Sequence, residues 1–111
     1  MIRILIACHR QSPVPSDPLY LPLQVGAAGK ESIGFQRDDE GDQISAGNPL
    51  YCELTGLYWG WKNLSADGLG LVQYRRYFTL HGRRWCAHHA LDENVLSAGE
   101  ARQLLQRYAV L

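Results

Sequence analysis

The sequence predicts an α/β domain built on parallel strands, and three segments support that class. Residues 2–7 form a short, Ile-rich apolar run, residues from Asn48 onward have the apolar spacing of a capped helix, and residues 69–78 have the pattern of a second strand. The first run is continuous enough to be buried on both faces, as strands of parallel sheets are. With 111 residues and 46% hydrophobic content, the chain suits one domain with a small core.

The first predicted strand ends at a polar tripeptide, Cys8-His9-Arg10. Open α/β sheets bind their ligands at the carboxyl ends of the strands. His9 is therefore a candidate ligand-binding residue. The alternative is that His9 only terminates the strand.

Residues 11–47 contain four of the five prolines and are predicted to be irregular, wrapping over the sheet. The acidic run at 38–42 allows two interpretations. Clustered carboxylates bind hard cations or sugar hydroxyls, although the spacing here is not that of a calcium-binding loop. The alternative is a solvated turn.

A helix is predicted to begin at Asn48, a good N-cap, with Pro49 at its first position. One apolar face follows from helical spacing, and Gly56 and Gly60, one turn apart, allow close approach to a neighbour. The predicted apolar face consists of Leu50, Leu54, Leu57, Trp61 and Leu64. Glu53 lies near the positive end of the helix and is expected to pair with a lysine or arginine.

The second predicted strand, Leu69 to Phe78, contains the tetrapeptide Tyr-Arg-Arg-Tyr at 74–77. Adjacent residues of a strand point to opposite faces, so one arginine would face the interior or a cleft. A buried guanidinium needs a partner, and phosphate or carboxylate groups are suitable partners. An anionic-ligand site is therefore predicted at Arg75 and Arg76.

The segment His81 to His89 is basic, and the spacing of Cys86, His88 and His89 matches no standard zinc site. Ser97 and Glu100 form a predicted capping box that begins a further helix, with Leu96 and Ala101 placed as its hydrophobic staple. Residues 109–111 have the pattern of another strand beginning.

Composition excludes several classes of protein. The formal net charge is zero, so no overall field attracts nucleic acid. Three widely spaced cysteines are not a disulfide framework and indicate a reducing cytoplasm. The amino terminus lacks a signal peptide's pattern, and no apolar run approaches the roughly 20 residues of a membrane span, so any membrane association would be peripheral.

Four segments carry a resemblance to a known family: IRILIACHR, DDEGDQIS, NPLYCELTGLYWGWKNL and GLVQYRRYF. They resemble a bacterial family called domain of unknown function 4422, whose members are regarded as glycosyltransferases of capsular, exopolysaccharide or O-antigen biosynthesis. The tail, NVLSAGEARQLLQRYAVL, fits the family as well. The resemblance implies a partial GT-A-like, Rossmann-like sheet with flanking helices. Residues 1–111 are expected to form one domain, the N-terminal half of a longer, apparently truncated unit.

The same resemblance implies transfer of a hexosyl group, galactofuranosyl among the candidates, from a nucleotide-diphosphate sugar to a glycan or lipid-linked acceptor. Nucleic acid is not an expected partner. The expected location is the cytoplasm, including the inner face of the cytoplasmic membrane. Two departures from the family pattern concern the site: Gln73 stands where a histidine is usual, and Gln43 where an asparagine is usual.

The candidate donor-binding residues are His9, Asp39, Asp42, Glu53, Tyr74, Arg75 and Arg76. The end of the second strand lacks an Asp-x-Asp motif, so an arginine is predicted to replace a metal ion as the diphosphate clamp, with Glu53 orienting it. A divalent manganese or magnesium ion at the acidic run is the alternative, and no catalytic residue is assigned. The competing class is an inactive remnant or a carbohydrate-binding module that uses Trp59, Trp61 and Trp85, unless these aromatics are core.

Overall fold

The computed structural model describes residues 2–74, 76–78 and 95–108. Within these ranges four strands form one sheet: β1 (Ile2–Cys8), β2 (Tyr20–Gln24), β3 (Gln36–Arg37) and β4 (Gly68–Gln73). The described helices are α1 (Asn48–Tyr51), α2 (Leu54–Asn63) and α3 (Ala98–Arg107), and a 3₁₀ turn at Ser45–Gly47 precedes α1. All three pairings between these strands are parallel, which confirms the predicted α/β class.

Both faces of the sheet are covered, because side chains of β1 alternate between two hydrophobic clusters. Leu5 and Ala7 pack with Trp59 of α2 on one face. Ile4 and Ile6 pack with Ala101 of α3 on the other. This double burial accounts for the continuous apolar run from which the strand was predicted.

The strand order is β3-β2-β1-β4, so the chain reverses direction across the sheet at β1. β2 and β3 extend the sheet on one side of β1, whereas the connection through α1 and α2 returns the chain to the other side. In open α/β sheets such a reversal leaves a crevice at the carboxyl ends of the two strands involved. Here those strands are β1 and β4.

The prediction that residues 11–47 are irregular is wrong, because β2 and β3 lie within them. β2 contains Pro22, which lacks an N–H for strand pairing. Leu19 and Val25 bond to β1 through their carbonyl and amide groups respectively, so odd-numbered residues face β1. The nitrogen of Pro22 therefore faces the opposite edge, where β3 pairs only with Leu23 and Gln24.

The predicted single helix is interrupted at Cys52, which adopts φ 54° between α1 and α2. Asn48 is the first residue of α1 and not its N-cap, and its side-chain amide donates to the Cys52 carbonyl and to Thr55 Oγ1. These bonds join α1 to α2 and do not satisfy the amides of the first turn, as the predicted N-cap would. They also support the left-handed backbone at Cys52, which costs energy for a residue with a Cβ atom.

The predicted apolar face of this helix is also wrong. Leu50, Leu54 and Trp61 are 78%, 55% and 65% exposed. The face that α2 buries consists of Thr55, Gly56, Trp59 and Gly60. Its glycines confirm the predicted close approach, because the sheet itself supplies the bulky side chains at this contact.

β4 ends at Gln73, five residues earlier than predicted. Tyr74 still donates to the Ala7 carbonyl, but the Arg76 amide donates back to the Gln73 carbonyl at 2.9 Å and closes a turn. β1 ends at Cys8 and offers no further ladder for β4. The prediction that the two arginines point to opposite faces assumed a strand, and it therefore does not apply beyond Gln73. Arg75 lies outside the described residues.

The capping box that begins α3 is confirmed, since Ser97 Oγ accepts from the Glu100 amide and Glu100 Oε1 accepts from the Ser97 amide. Leu96 and Ala101, the predicted staple, are both buried in one cluster. The predictions for residues 81–89 and 109–111 fall outside the described ranges.

Replacing Gly56 by alanine is expected to destabilise the fold by about 1–2 kcal/mol, since overpacking exceeds the gain in helix propensity. The new Cβ would lie 2.7 Å from Val25 Cγ1, a buried and stiff side chain. Gly99→Ala is the matched control, because nothing lies within 4 Å of its Cβ position in α3. Gly99→Ala should raise the free energy of unfolding by about 0.5–1 kcal/mol, because alanine has the higher helix propensity. Urea unfolding of both variants measures the difference, and equal shifts would contradict the packing argument.

Candidate functional site

A crevice of about 350 Å³ opens at the carboxyl end of β4, which is one of the two strands between which strand order reverses. Its lining combines charged, amide, aromatic and aliphatic side chains. They are Glu53, Leu71, Val72, Gln73, Arg76, Tyr77 and Phe78. The crevice therefore combines apolar side chains of β4 with a carboxylate, an amide and a guanidinium.

Polar groups from β1 lie at the same edge. His9 and Arg10 follow the strand directly and are exposed. The Arg10 guanidinium lies 5.7 Å from the centroid of the Tyr74 ring, close enough for a cation–π contact. Arg10, which follows β1, thus meets Tyr74, which follows β4, and the roles predicted for His9 and Tyr74 stay predictions.

Glu53 lies at the N-cap position of α2 and is half-buried. Its Oε1 accepts a hydrogen bond of 2.9 Å from Gln73 Nε2. Among the residues that the structure describes, the partner is therefore an amide and not the predicted lysine or arginine. Glu53 and Arg76 nevertheless line the same crevice.

Arg76 is exposed, and within the described ranges no carboxylate pairs with it. A planar guanidinium that is not already paired presents its donors to an anion. Arg76 is thus the cation that this part of the chain offers to a ligand in the crevice.

Tyr77 contributes a hydroxyl that is buried and has no hydrogen-bond partner among the described residues. Burial, with a smaller contribution from Cys8, raises the pKa of Tyr77 to about 12. Its ring packs edge-to-face on Tyr20 at 5.9 Å. A buried hydroxyl without a partner costs free energy, so Tyr77 is the crevice residue whose polar group the described residues leave unsatisfied.

Asp38 is a residue whose role sequence reasoning missed. It is fully buried, and four donors surround its carboxylate. They are the amides of Gly26 and Ala27 and the hydroxyls of Ser45 and Thr55, at 2.6–3.0 Å. These bonds fasten the loop after β2 to the first turn of α2. Its position directly after β3 was the available signal, but β3 itself was not predicted.

The rest of the acidic run points to separate partners. Asp39 accepts two hydrogen bonds from Arg37, at 3.0 and 2.9 Å, and this pairing lowers the pKa of Asp39. Asp42 accepts a bond of 3.0 Å from the hydroxyl of Tyr58 and raises the pKa of that phenol. The structure thus separates Asp39 and Asp42 from the crevice residues with which the sequence grouped them.

Metal ligands do not converge in the described part of the chain: no three histidine, cysteine or carboxylate side chains there form a group that could hold an ion. None of the described helices combines the length and apolar character needed to cross a bilayer.

A parallel sheet covered on both faces, with polar groups at its switch point, defines a Rossmann-like α/β domain. The family model of a domain of unknown function, DUF4422, matches residues 3–111, and the chain belongs to that family. The structure is similar to that of WbbM, a bifunctional glycosyltransferase solved in its apo form, with a TM-score of 0.68 and 37% identity over 80% of this chain. The match spans 16% of the WbbM chain. No curated protein matches.

The family membership and the glycosyltransferase-like α/β fold predicted from the sequence are therefore confirmed. The individual donor-binding residues stay predictions.

Replacing Asp38 by alanine should destabilise the protein by about 3 kcal/mol or more, because buried amides and hydroxyls lose their acceptor and each unsatisfied group costs about 1–3 kcal/mol. Glu40→Ala is the control, since that side chain is exposed and only its backbone carbonyl accepts, from Trp59 Nε1. Its effect should stay within about 0.5 kcal/mol. Equal urea midpoints for the two variants would show that the Asp38 network does not support the fold.

The Arg37–Asp39 pair predicts a specific acid sensitivity. Because the folded-state pKa of Asp39 is lowered, the pair stabilises the protein above the ordinary carboxyl pKa, about 4, and this contribution disappears as pH falls through the folded value. Asp39→Asn should lose less stability than the parent between pH 6 and pH 3. The effect is small because the pair is partly solvent-exposed. Urea midpoints at the two pH values test it, and an identical acid loss in both proteins would contradict it.

Proposed function

We propose that this chain forms the donor-binding part of a glycosyltransferase in bacterial surface polysaccharide biosynthesis, of capsule, exopolysaccharide or O-antigen. The donor is a nucleotide-diphosphate sugar, and the transferred group is a hexosyl such as galactofuranosyl. The observation that carries the proposal is Arg76, which lines the crevice at the carboxyl end of β4 and pairs with no carboxylate among the described residues. The fold that the chain shares with part of a glycosyltransferase supports it.

The chemistry of the donor explains why a guanidinium suits this position. Negative charge builds on the diphosphate as the sugar leaves, and fixed donors that face this charge lower the barrier. A guanidinium binds two phosphate oxygens at once, without a metal ion. Arg76 takes this role in the proposal, and Arg75, which lies outside the described residues, is the second candidate.

The other crevice residues orient the donor in this proposal. The Glu53 carboxylate, held by Gln73, accepts from ribose or sugar hydroxyls. The Tyr77 hydroxyl, which has no partner among the described residues, donates to an oxygen of the ligand. In this proposal, His9 and Tyr74 lie at the border of the site, after the ends of the adjacent strands. Asp39 and Asp42 remain candidates only in a metal-dependent version, in which manganese or magnesium recruits the acidic run.

The acceptor is a glycan or a lipid-linked saccharide, and the proposed location is the cytoplasm or the inner face of the cytoplasmic membrane. The competing proposal is a carbohydrate-binding module or inactive remnant without transfer activity. The exposed Trp61 favours glycan binding in either case. Binding of glycan with no affinity for any nucleotide diphosphate would favour this second class.

The test is a calorimetric titration of the chain with uridine, guanosine and thymidine diphosphates. Arg76→Gln is expected to weaken binding about tenfold or more, since a charge-assisted hydrogen bond contributes about 1.5–3 kcal/mol. The affinity of Arg76→Lys should lie between those of the parent and Arg76→Gln. Lysine keeps the positive charge but cannot bind two phosphate oxygens at once with a planar guanidinium. Arg107→Gln, in the last turn of α3 and outside the crevice, is the control and should bind normally.

Two outcomes would change the proposal. Unaltered binding by both Arg76 variants would remove the arginine clamp. Loss of binding in a chelator, with recovery on adding manganese, would favour the metal-dependent version.

A further inference from the structure

The outer face of α2 carries an exposed aromatic cluster that the donor crevice does not use. The Trp61 side chain is 65% exposed. The Tyr58 ring meets it edge-to-face, with centroids 5.7 Å apart, and Lys62 Nζ lies 3.8 Å from the indole centroid. The sheet contacts Trp59 instead, so Trp61 is not needed for the core.

Polar groups form a fixed rim beside this indole. Asp42 Oδ1 accepts from the Tyr58 hydroxyl at 3.0 Å, and the Asp42 carbonyl accepts from Asn63 Nδ2 at 2.8 Å. The Asn63 amide also bonds to the Trp59 carbonyl, which fastens the rim to the helix. The surface therefore combines an exposed indole, over which the Lys62 ammonium lies, with a carboxylate and a phenol.

We propose that this surface, centred on Trp61 and Asp42, binds a saccharide. The electron-rich indole face already attracts the Lys62 ammonium, and it attracts the positively polarised C–H groups of a sugar ring for the same reason. The Asp42 carboxylate accepts hydrogen bonds from ring hydroxyls, and the flexible Lys62 donates to them. Sugars present both an apolar C–H face and a hydroxyl edge, which is the combination that this surface complements.

Other occupants fit less well. A bilayer would have to desolvate the Asp42 carboxylate beside the indole, which is costly. A second copy of the chain would contact a helix about 15 Å long, too small a surface for the roughly 800 Å² per partner of a stable interface. A saccharide of one or two rings matches both the size and the polarity.

The site lies on the same helix as the crevice, since Glu53 precedes α2 and Trp61 follows eight residues later, about 12 Å along the axis. We assign the saccharide to the acceptor glycan. That assignment rests on the proposed function, whereas saccharide binding itself does not.

The test is binding of soluble oligosaccharides of galactose, glucose, mannose and N-acetylglucosamine to the intact chain, without nucleotide, followed by calorimetry and tryptophan fluorescence. At least one should bind, and Trp61→Ala should weaken that binding about tenfold or more. Asp42→Asn should weaken it as well, and Trp61→Phe should restore part of it. Leu50→Ala is the matched control, because that side chain is 78% exposed and lies outside the cluster.

Three results would overturn the inference: no binding by any oligosaccharide, equal binding by Trp61→Ala and the parent, or Trp61-dependent binding to phosphatidylglycerol vesicles in place of saccharides. Arg76→Gln separates the two proposals. It should bind oligosaccharide normally, so the saccharide site can stand even where the nucleotide-diphosphate titration fails.

Discussion

The buried carboxylate of Asp38 is the constraint on which the arrangement of the site depends. An isolated charge in a protein interior is costly, so the chain must bring donors to it from several segments. Here the donors come from the turn after β2, from the 3₁₀ turn and from the first turn of α2. Gly26 adopts φ 63° and lies against the Asn48 side chain, so that its amide can face the carboxylate. The network holds the first turn of α2 at the carboxyl edge of the sheet, and with it Glu53.

Packing against the sheet then decides which side of α2 faces outward. Gly56 and Gly60 place their bare backbone against Val25 and Leu5, because large side chains already project from the strands. The glycines let α2 lie close to the sheet, and the larger apolar residues of the helix therefore lie on the solvent side. One helix therefore presents a carboxylate to the crevice at its beginning and an exposed indole near its end, so the two proposed binding surfaces share a single rigid element.

Sequence reasoning found much of the fold, whereas the individual residues of the proposed site stay predictions. β1, the capping box of α3 and the close approach of the helical glycines were predictable, since each depends on residues near in the sequence. The position of His9 after β1 was also predictable, because it depends only on where that apolar run ends. Asp38 and Asp39 could not be told apart in this way. Their different roles depend on donors up to 17 residues away, from Thr55, and on the ion pair with Arg37.

The sequence by itself determined the class of fold, the family and the chemical types available for a site, because apolar periodicity, caps and motifs are local properties of the chain. Tertiary structure decided which groups act together. It ended β4 at Gln73, because β1 offers no partner beyond Cys8, and it buried Trp59 and exposed Trp61. Such choices depend on which surface a neighbouring element presents. Helical spacing alone predicted that Trp61 lies on the buried face of the helix. That prediction was wrong because spacing shows which residues share a face, and not which face the sheet contacts.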